Sequence, residues 1–215
     1  ERGSPVRPLV SLLAGQFWTG AMPIASPLQS LTDRQLLPPA IYVMVDIIDR
    51  QHRTRELTCN PDFWQAVEQE LLPEITRWTG WHPAADRTLV AGQSFGGLSA
   101  VYATLHRPET FGMAVSLSGS FWWPGRGQPT GWLTEQLEQH AFPVAPRRIY
   151  LEAGKREQVI CQANSTMHDV LRQQEIPVTL KFIDVGHDAL CWRSGLLNGL
   201  QAILNNHSEP AGEGI

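Results

Sequence analysis

The chain has 215 residues, 42% of them hydrophobic, which suits one buried core and one domain. Seventeen basic against 21 acidic residues give a net charge of −4 with no basic tract, which excludes a phosphate-backbone binder. No apolar run approaches the ~20 residues that span a bilayer, so no membrane span is expected. The three cysteines, Cys59, Cys161 and Cys191, match no zinc or redox spacing and read as free thiols, favouring a reducing compartment.

Apolar runs alternate with helix-length segments. "LVSLLA" (9–14) reads as a buried strand ending at Gly15, and "AIYVMVDII" (40–48) as a second after Pro38 and Pro39. Asn60 followed by Pro61 is a helix start, with the helix expected to run to about Leu72. "RTLVAG" (87–92) is a strand, and residues 96–106 form a helix of small and apolar residues. "GMAVSLSG" (112–119) is a strand, followed by a loop rich in Trp, Gly and Pro (120–131) and a short helix. "RRIYLEAG" (147–154) is a strand, "NSTMHDVLRQQE" (164–175) a helix, "VTLKFIDVG" (178–186) a strand and residues 194–206 a closing helix. Continuously apolar strands alternating with helices predict an α/β fold, a mostly parallel sheet with helices on both faces. Ligands of such sheets bind at the carboxyl ends of the strands.

One of those ends carries Gly92, Gln93, Ser94, Phe95 and Gly96, a G-x-S-x-G sequence between a strand and a helix. That context turns a common pattern into a nucleophile site. The serine projects from a sharp bend, and its neighbours are small because strand and helix nearly touch. A serine hydroxyl needs a base, and on this architecture the chain order is serine, acid, histidine. Of seven histidines, only His187 follows a late strand and precedes the last helix. His52, His82, His106 and His140 come too early, His168 lies within a helix, and His207 in a polar tail. The acid is expected after the "RRIYLEAG" strand, which points to Glu157, with Asp184 and Asp188 as rivals. An oxyanion hole needs two backbone donors. The N–H of Phe95 is one. The other comes from the loop of Gly15, Gln16, Phe17 and Trp18, where Gln16 is favoured by position.

With these residues placed, the chain resembles the catalytic domain of the enterochelin (enterobactin) esterases, in the esterase D-like branch of the α/β-hydrolases. The blocks "GQSFGGLSA", "SGSFWWPGRG", "LEAGKRE" and "GHDALCWRSGL" carry the resemblance, which covers nearly the whole chain. It implies an α/β-hydrolase fold, Ser94 as nucleophile, His187 as base and Glu157 as acid. It also implies hydrolysis of the seryl esters in a catecholate trilactone siderophore, ferric or iron-free, plain or glucosylated. The enzyme itself would need no cofactor and no metal, the iron arriving with the substrate. A polyanionic substrate with flat rings suits arginines and aromatic faces, here Arg53, Trp122, Trp123, Arg156, Trp192 and Arg193. Two positions depart from the family pattern. Ala14 stands where an Asp is expected, and Val185 precedes Gly186 where a glycine doublet is expected. The resemblance places the expected fold over residues 1–215 without the family's N-terminal substrate-covering domain or the fold's first edge strands. The first residues, "ERGSPV", lack a Met, so a longer natural protein is expected. The cytoplasm is the expected compartment, with the periplasm as the alternative. The rival readings are another carboxylesterase or acyltransferase of the same branch, and a siderophore-binding protein that has lost catalysis.

Overall fold

The computed structural model describes residues 7–125 and 130–205. Residues 126–129 of the Trp-rich loop, the first six residues, Asn206 and the His207 tail lie outside the described residues.

Among the described residues six strands form one sheet: β1 (Leu9–Leu13), β2 (Ile41–Val45), β3 (Thr88–Gln93), β4 (Met113–Leu117), β5 (Arg148–Gly154) and β6 (Val178–Ile183). Their order is β2-β1-β3-β4-β5-β6, and every neighbouring pair is parallel. Strand side chains alternate between the two faces. Leu9, Leu13, Val90, Ala114, Ile149 and Leu151 enter one core. Val10, Leu12, Leu89, Ala91, Met113, Val115 and Tyr150 enter the other.

The first core is covered by α2 (Arg50–Leu57), α3 (Pro61–Ala66), α4 (Leu72–Thr79), α5 (Phe95–His106), α6 (Trp132–Glu138) and α7 (Gln158–Gln173). The second is covered by α1 (Ala25–Asp33) and α8 (Ala189–Leu204). The sequence reading of a parallel sheet covered on both faces therefore holds. Its central helix, α5, is buried from Gly96 to Leu105, as an all-round apolar helix must be.

Several boundaries differ from the sequence reading. The helix opened by Asn60 does not stop at Leu72. Asn60 Oδ1 accepts from the N–H groups of Asp62 and Phe63, a π-helical turn spans Val67–Leu71, and α4 carries the chain on to Gly80. Pro73 sits in the first turn of α4, where its missing N–H interrupts little. The helices α7 and α8 begin about one and a half turns before the expected starts. A π-helical turn follows β1 (Phe17–Ala21), and α1 and α2 have no counterpart in the sequence reading.

After β1 the chain leaves by the α1 face to form β2 on one side. After β3 it leaves by the α5 face to form β4 on the other. The connections diverge between β1 and β3, which opens a crevice at their carboxyl ends.

Candidate active site

Ser94 ends β3 and opens α5 with φ +57° and ψ −117°, outside the regions an L-residue ordinarily occupies. The bend is held from several sides. Ser94 N–H donates to Leu117 O (2.9 Å), and Ser94 O accepts from Ser120 N–H (3.1 Å) and Leu98 N–H (3.1 Å). A Cβ on Gly92 would lie 2.6 Å from the carbonyl carbon of Gly96, and one on Gly97 would lie 2.5 Å from Ser116 Oγ. Gly96 is different: a Cβ there meets only Leu13 Cβ at 3.5 Å, an ordinary contact. Glycine is thus demanded at 92 and 97 by close approach, while Gly96 serves mainly as the backbone that Gly92 touches.

Glu157 and His187 come together. Glu157 stands just before α7 with its side chain free of the helix end, and its Oε1 bonds His187 Nδ1. Its Oε2 accepts from Gly154 N–H (2.7 Å) and from Ser118 Oγ (2.8 Å). The carboxylate side chain is 3% exposed and the imidazole 40%. Burial pushes the Glu157 carboxyl up, but the hydrogen bonds from His187, Ser118 and Gly154, with the His187 charge, outweigh it and hold the pKa below the usual carboxylate value. With Nδ1 occupied by the carboxylate, the other ring nitrogen is the one left for proton transfer. The ring stands edge-on to Trp192, centroids 4.6 Å apart. Trp192 also meets Phe17 of the post-β1 turn at 5.9 Å, which joins the histidine loop to the β1 crevice.

The rival carboxylates are engaged elsewhere. Asp184 accepts from Arg156 Nε (3.1 Å) in an exposed pair. Asp188 caps α8, accepting from Cys191 N–H (3.1 Å) and Cys191 Sγ (3.0 Å).

Ser94 Oγ shares its hydrogen bond with Ser120 Oγ (3.3 Å), and none joins it to His187. The two residues stand on one edge of the sheet, at the ends of β3 and β6. The residues after β4 lie between them, bonded to Ser94 on one side and to Glu157 on the other. Catalytic hydrogen bonds are often long without substrate.

Phe95 is the first residue of α5, and Gln16 lies in the first turn after β1, so both N–H groups lack intrahelical acceptors. The Gln16 side chain clamps the loop after β2, donating from Nε2 to Ile47 O (2.6 Å) and accepting from Ile47 N–H (3.1 Å). Ala14, two residues before, has φ +58°.

Of the residues expected to meet substrate, Arg53 lies with its guanidinium 5.2 Å from the Phe95 ring centroid, and Phe95 meets Trp122 at 5.9 Å. The nearby Glu56 pairs with Arg55, at 3.5 Å. Burial, then the neighbouring Arg50, lowers the Arg53 pKa from its ordinary value. Trp122 and Trp123 are half-buried against the α2–α7 core. Trp123 also faces Arg50 and Arg55 across an open cleft of about 630 Å³. Trp192 is in the site, whereas Arg156 is drawn to Asp184. Arg193 follows Trp192 on α8, half-buried, about 100° further round the helix. Trp18, by contrast, is core: it is fully buried and its Nε1 donates to Leu13 O (3.1 Å). Sequence reasoning missed Ser118 and Ser120, which hydrogen-bond Glu157 and Ser94 respectively. The only signal for them is serine on both sides of a glycine at a strand end. Among the described residues no cluster of His, Cys, Asp and Glu could hold a metal ion.

Residues 4–203 match the Esterase family model. The chain is 53% identical over 195 residues to the iron(III) enterobactin esterase of Escherichia coli strain K12, covering 90% of this chain and 49% of that one. It is 28% identical over 201 residues to the iron(III) salmochelin esterase of Escherichia coli O6:H1, covering 89% and 49%. The crystal structure of the Shigella flexneri enterobactin esterase in the presence of enterobactin superposes with a TM-score of 0.91 at 49% identity, covering 96% of this chain and 53% of that one. The chain thus spans about half the length of the curated relatives it matches.

Proposed function

The chain belongs to the Esterase family, and from that premise we propose that it is a serine carboxylic-ester hydrolase acting on the seryl esters of a catecholate trilactone siderophore. The observation that carries the reading is Ser94 on its positive-φ bend, sharing one sheet edge with the Glu157–His187 pair. The similarity to enterobactin esterases supports the choice of substrate.

The Ser94 side chain turns from Ser120 to the imidazole, and its Oγ attacks the ester carbonyl as His187 takes the proton. Glu157 holds the imidazole by Nδ1 and stabilises its charged form. The N–H groups of Phe95 and Gln16, the first at the positive end of α5, receive the oxyanion. His187 then protonates the departing serine alkoxide. Water attacks the acyl-enzyme with His187 again as base, releasing the acid and regenerating Ser94. The row of Arg53, Phe95 and Trp122 offers a cation and flat faces to a catecholate arm, and Trp123 and Trp192 offer further flat faces. Iron enters as cargo of the substrate. The three cysteines are unpaired in the structure, as suits a cytoplasmic protein. No helix among the described residues is long and apolar enough to cross a membrane.

The test compares kcat/KM on cyclic and linear catecholate trilactones, ferric and iron-free, with kcat/KM on short aryl esters. The proposal expects the trilactones to be preferred. Preference for the simple esters would instead favour a general esterase of the same branch.

A further inference from the structure

The catalytic pair does not rest on backbone alone. Ser118, immediately after β4, is buried at 3% exposure and adopts φ +48°, which a serine rarely does. That conformation is tied down: Ser118 N–H donates to Glu152 O (2.7 Å). At the next residue, Gly119 O accepts from the fully buried Asn164 Nδ2 (2.9 Å). So fixed, the Ser118 hydroxyl donates to Glu157 Oε2 (2.8 Å) and accepts from Trp192 Nε1 (3.2 Å). It uses its one proton on the carboxylate that binds His187, and a lone pair on the indole that packs edge-on to the same imidazole.

We propose that Ser118 is a positioning residue for the acid–base pair, setting the carboxylate of Glu157 and the ring of Trp192 so that His187 is held from two sides. The inference rests on the reading of Glu157 and His187 as acid and base. The hydrogen bonds of the Ser118 hydroxyl go to Glu157 and Trp192, not to Ser94. It acts through the orientation and charge of Glu157 and through the wall that Trp192 gives the imidazole. A carboxylate deprived of this donor concentrates its charge on the imidazole side. The imidazolium is then favoured, and the acid limb of the rate profile moves to higher pH. The other titratable groups near the pair are Cys161 on α7, with Lys155 acting on it, and Asp188 and Cys191 at the start of α8, with Glu152 on β5 acting on Cys191. None of them changes in the variants below.

The test uses Ser118→Gly, which suits the positive φ and removes only the hydroxymethyl group, beside Ser118→Ala and Trp192→Phe. Thermal unfolding of each gives the folded state. For Ser118→Gly we expect a melting temperature close to wild type, a kcat lower by about tenfold or more and KM within about twofold. The acid limb of kcat/KM should move to higher pH, and the downfield Nδ1–H proton resonance of His187 should shift or vanish. Trp192→Phe should give a smaller loss in the same direction. A folded Ser118→Gly with wild-type kcat, acid limb and His187 resonance would overturn the inference. Hydrolysis that survives His187→Ala or Glu157→Gln at the wild-type rate would overturn the underlying reading of the acid–base pair instead, so the two failures are distinguishable.

Discussion

At the scale of single residues, the site divides into what chain order reveals and what only packing reveals. Ser94 and His187 were legible as candidates because a bracketed serine and a histidine before the last helix stand where chain order puts a nucleophile and its base. Glu157 was legible only as one of three carboxylates. The rivals are separated by Arg156 drawing Asp184 away and by Asp188 serving as a cap, and neither follows from spacing. Ser118 was illegible because a serine at a strand end carries no periodic mark. The depressed pKa of Glu157 has a consequence for stability. A carboxyl whose folded pKa lies below its unfolded value, near 4.3 for Glu, stabilises the fold above that value. The contribution is lost as pH falls through the lower folded pKa. Urea unfolding of wild type and Glu157→Gln should therefore differ most above about pH 5, with the gap closing below about pH 4. Ala14 offers a second check. At φ +58° an alanine is strained by about 1 kcal/mol, and glycine removes that strain at some entropic cost. Ala14→Gly should raise Tm by roughly 1–2 °C in calorimetry.

At the scale of elements, the four central strands were read to within two residues because parallel strands buried on both sides are continuously apolar, whereas the edge strands β2 and β6, only partly buried, end three residues before the sequence reading. The helix α2 was missed for the opposite reason: in RQHRTREL only Leu57 is buried, so no apolar period marks it. It forms because Asp49 caps it, accepting from His52 N–H at 2.8 Å, and because it rides on α5 beside the site. The contact between β3 and α5 is what the Ser94 bend depends on. Gly92→Ala would press a methyl group to 2.6 Å from the Gly96 backbone, which cannot yield as a flexible side chain would. The expected cost is about 3 kcal/mol, a fall in Tm of roughly 6–12 °C, with activity lost further as Ser94 is displaced. Gly96→Ala, with its ordinary contact to Leu13, should cost far less than Gly92→Ala in the same calorimetric measurement.

At the scale of the whole molecule, the all-parallel sheet, with the chain diverging between β1 and β3, decides where the candidate site lies. It sets the post-β1 turn with Gln16, the Ser94 bend and the Glu157–His187 loops along one edge, fed by four different strands. The sequence reading reached the sheet and its covered faces. It could not reach how the far loops are tied together, because Phe17 meeting Trp192 and Ser118 meeting Glu157 join residues far apart in the chain. The account as a whole stands on hydrolysis by Ser94. Its most direct test is chromatography of the products from the iron-loaded catecholate trilactone, incubated with wild type and with Ser94→Ala. The account predicts linear and monomeric catecholate–serine products from wild type, and a rate at least ~10⁴-fold lower from a folded Ser94→Ala. Intact trilactone after hours with wild type, or equal products from both proteins, would contradict it.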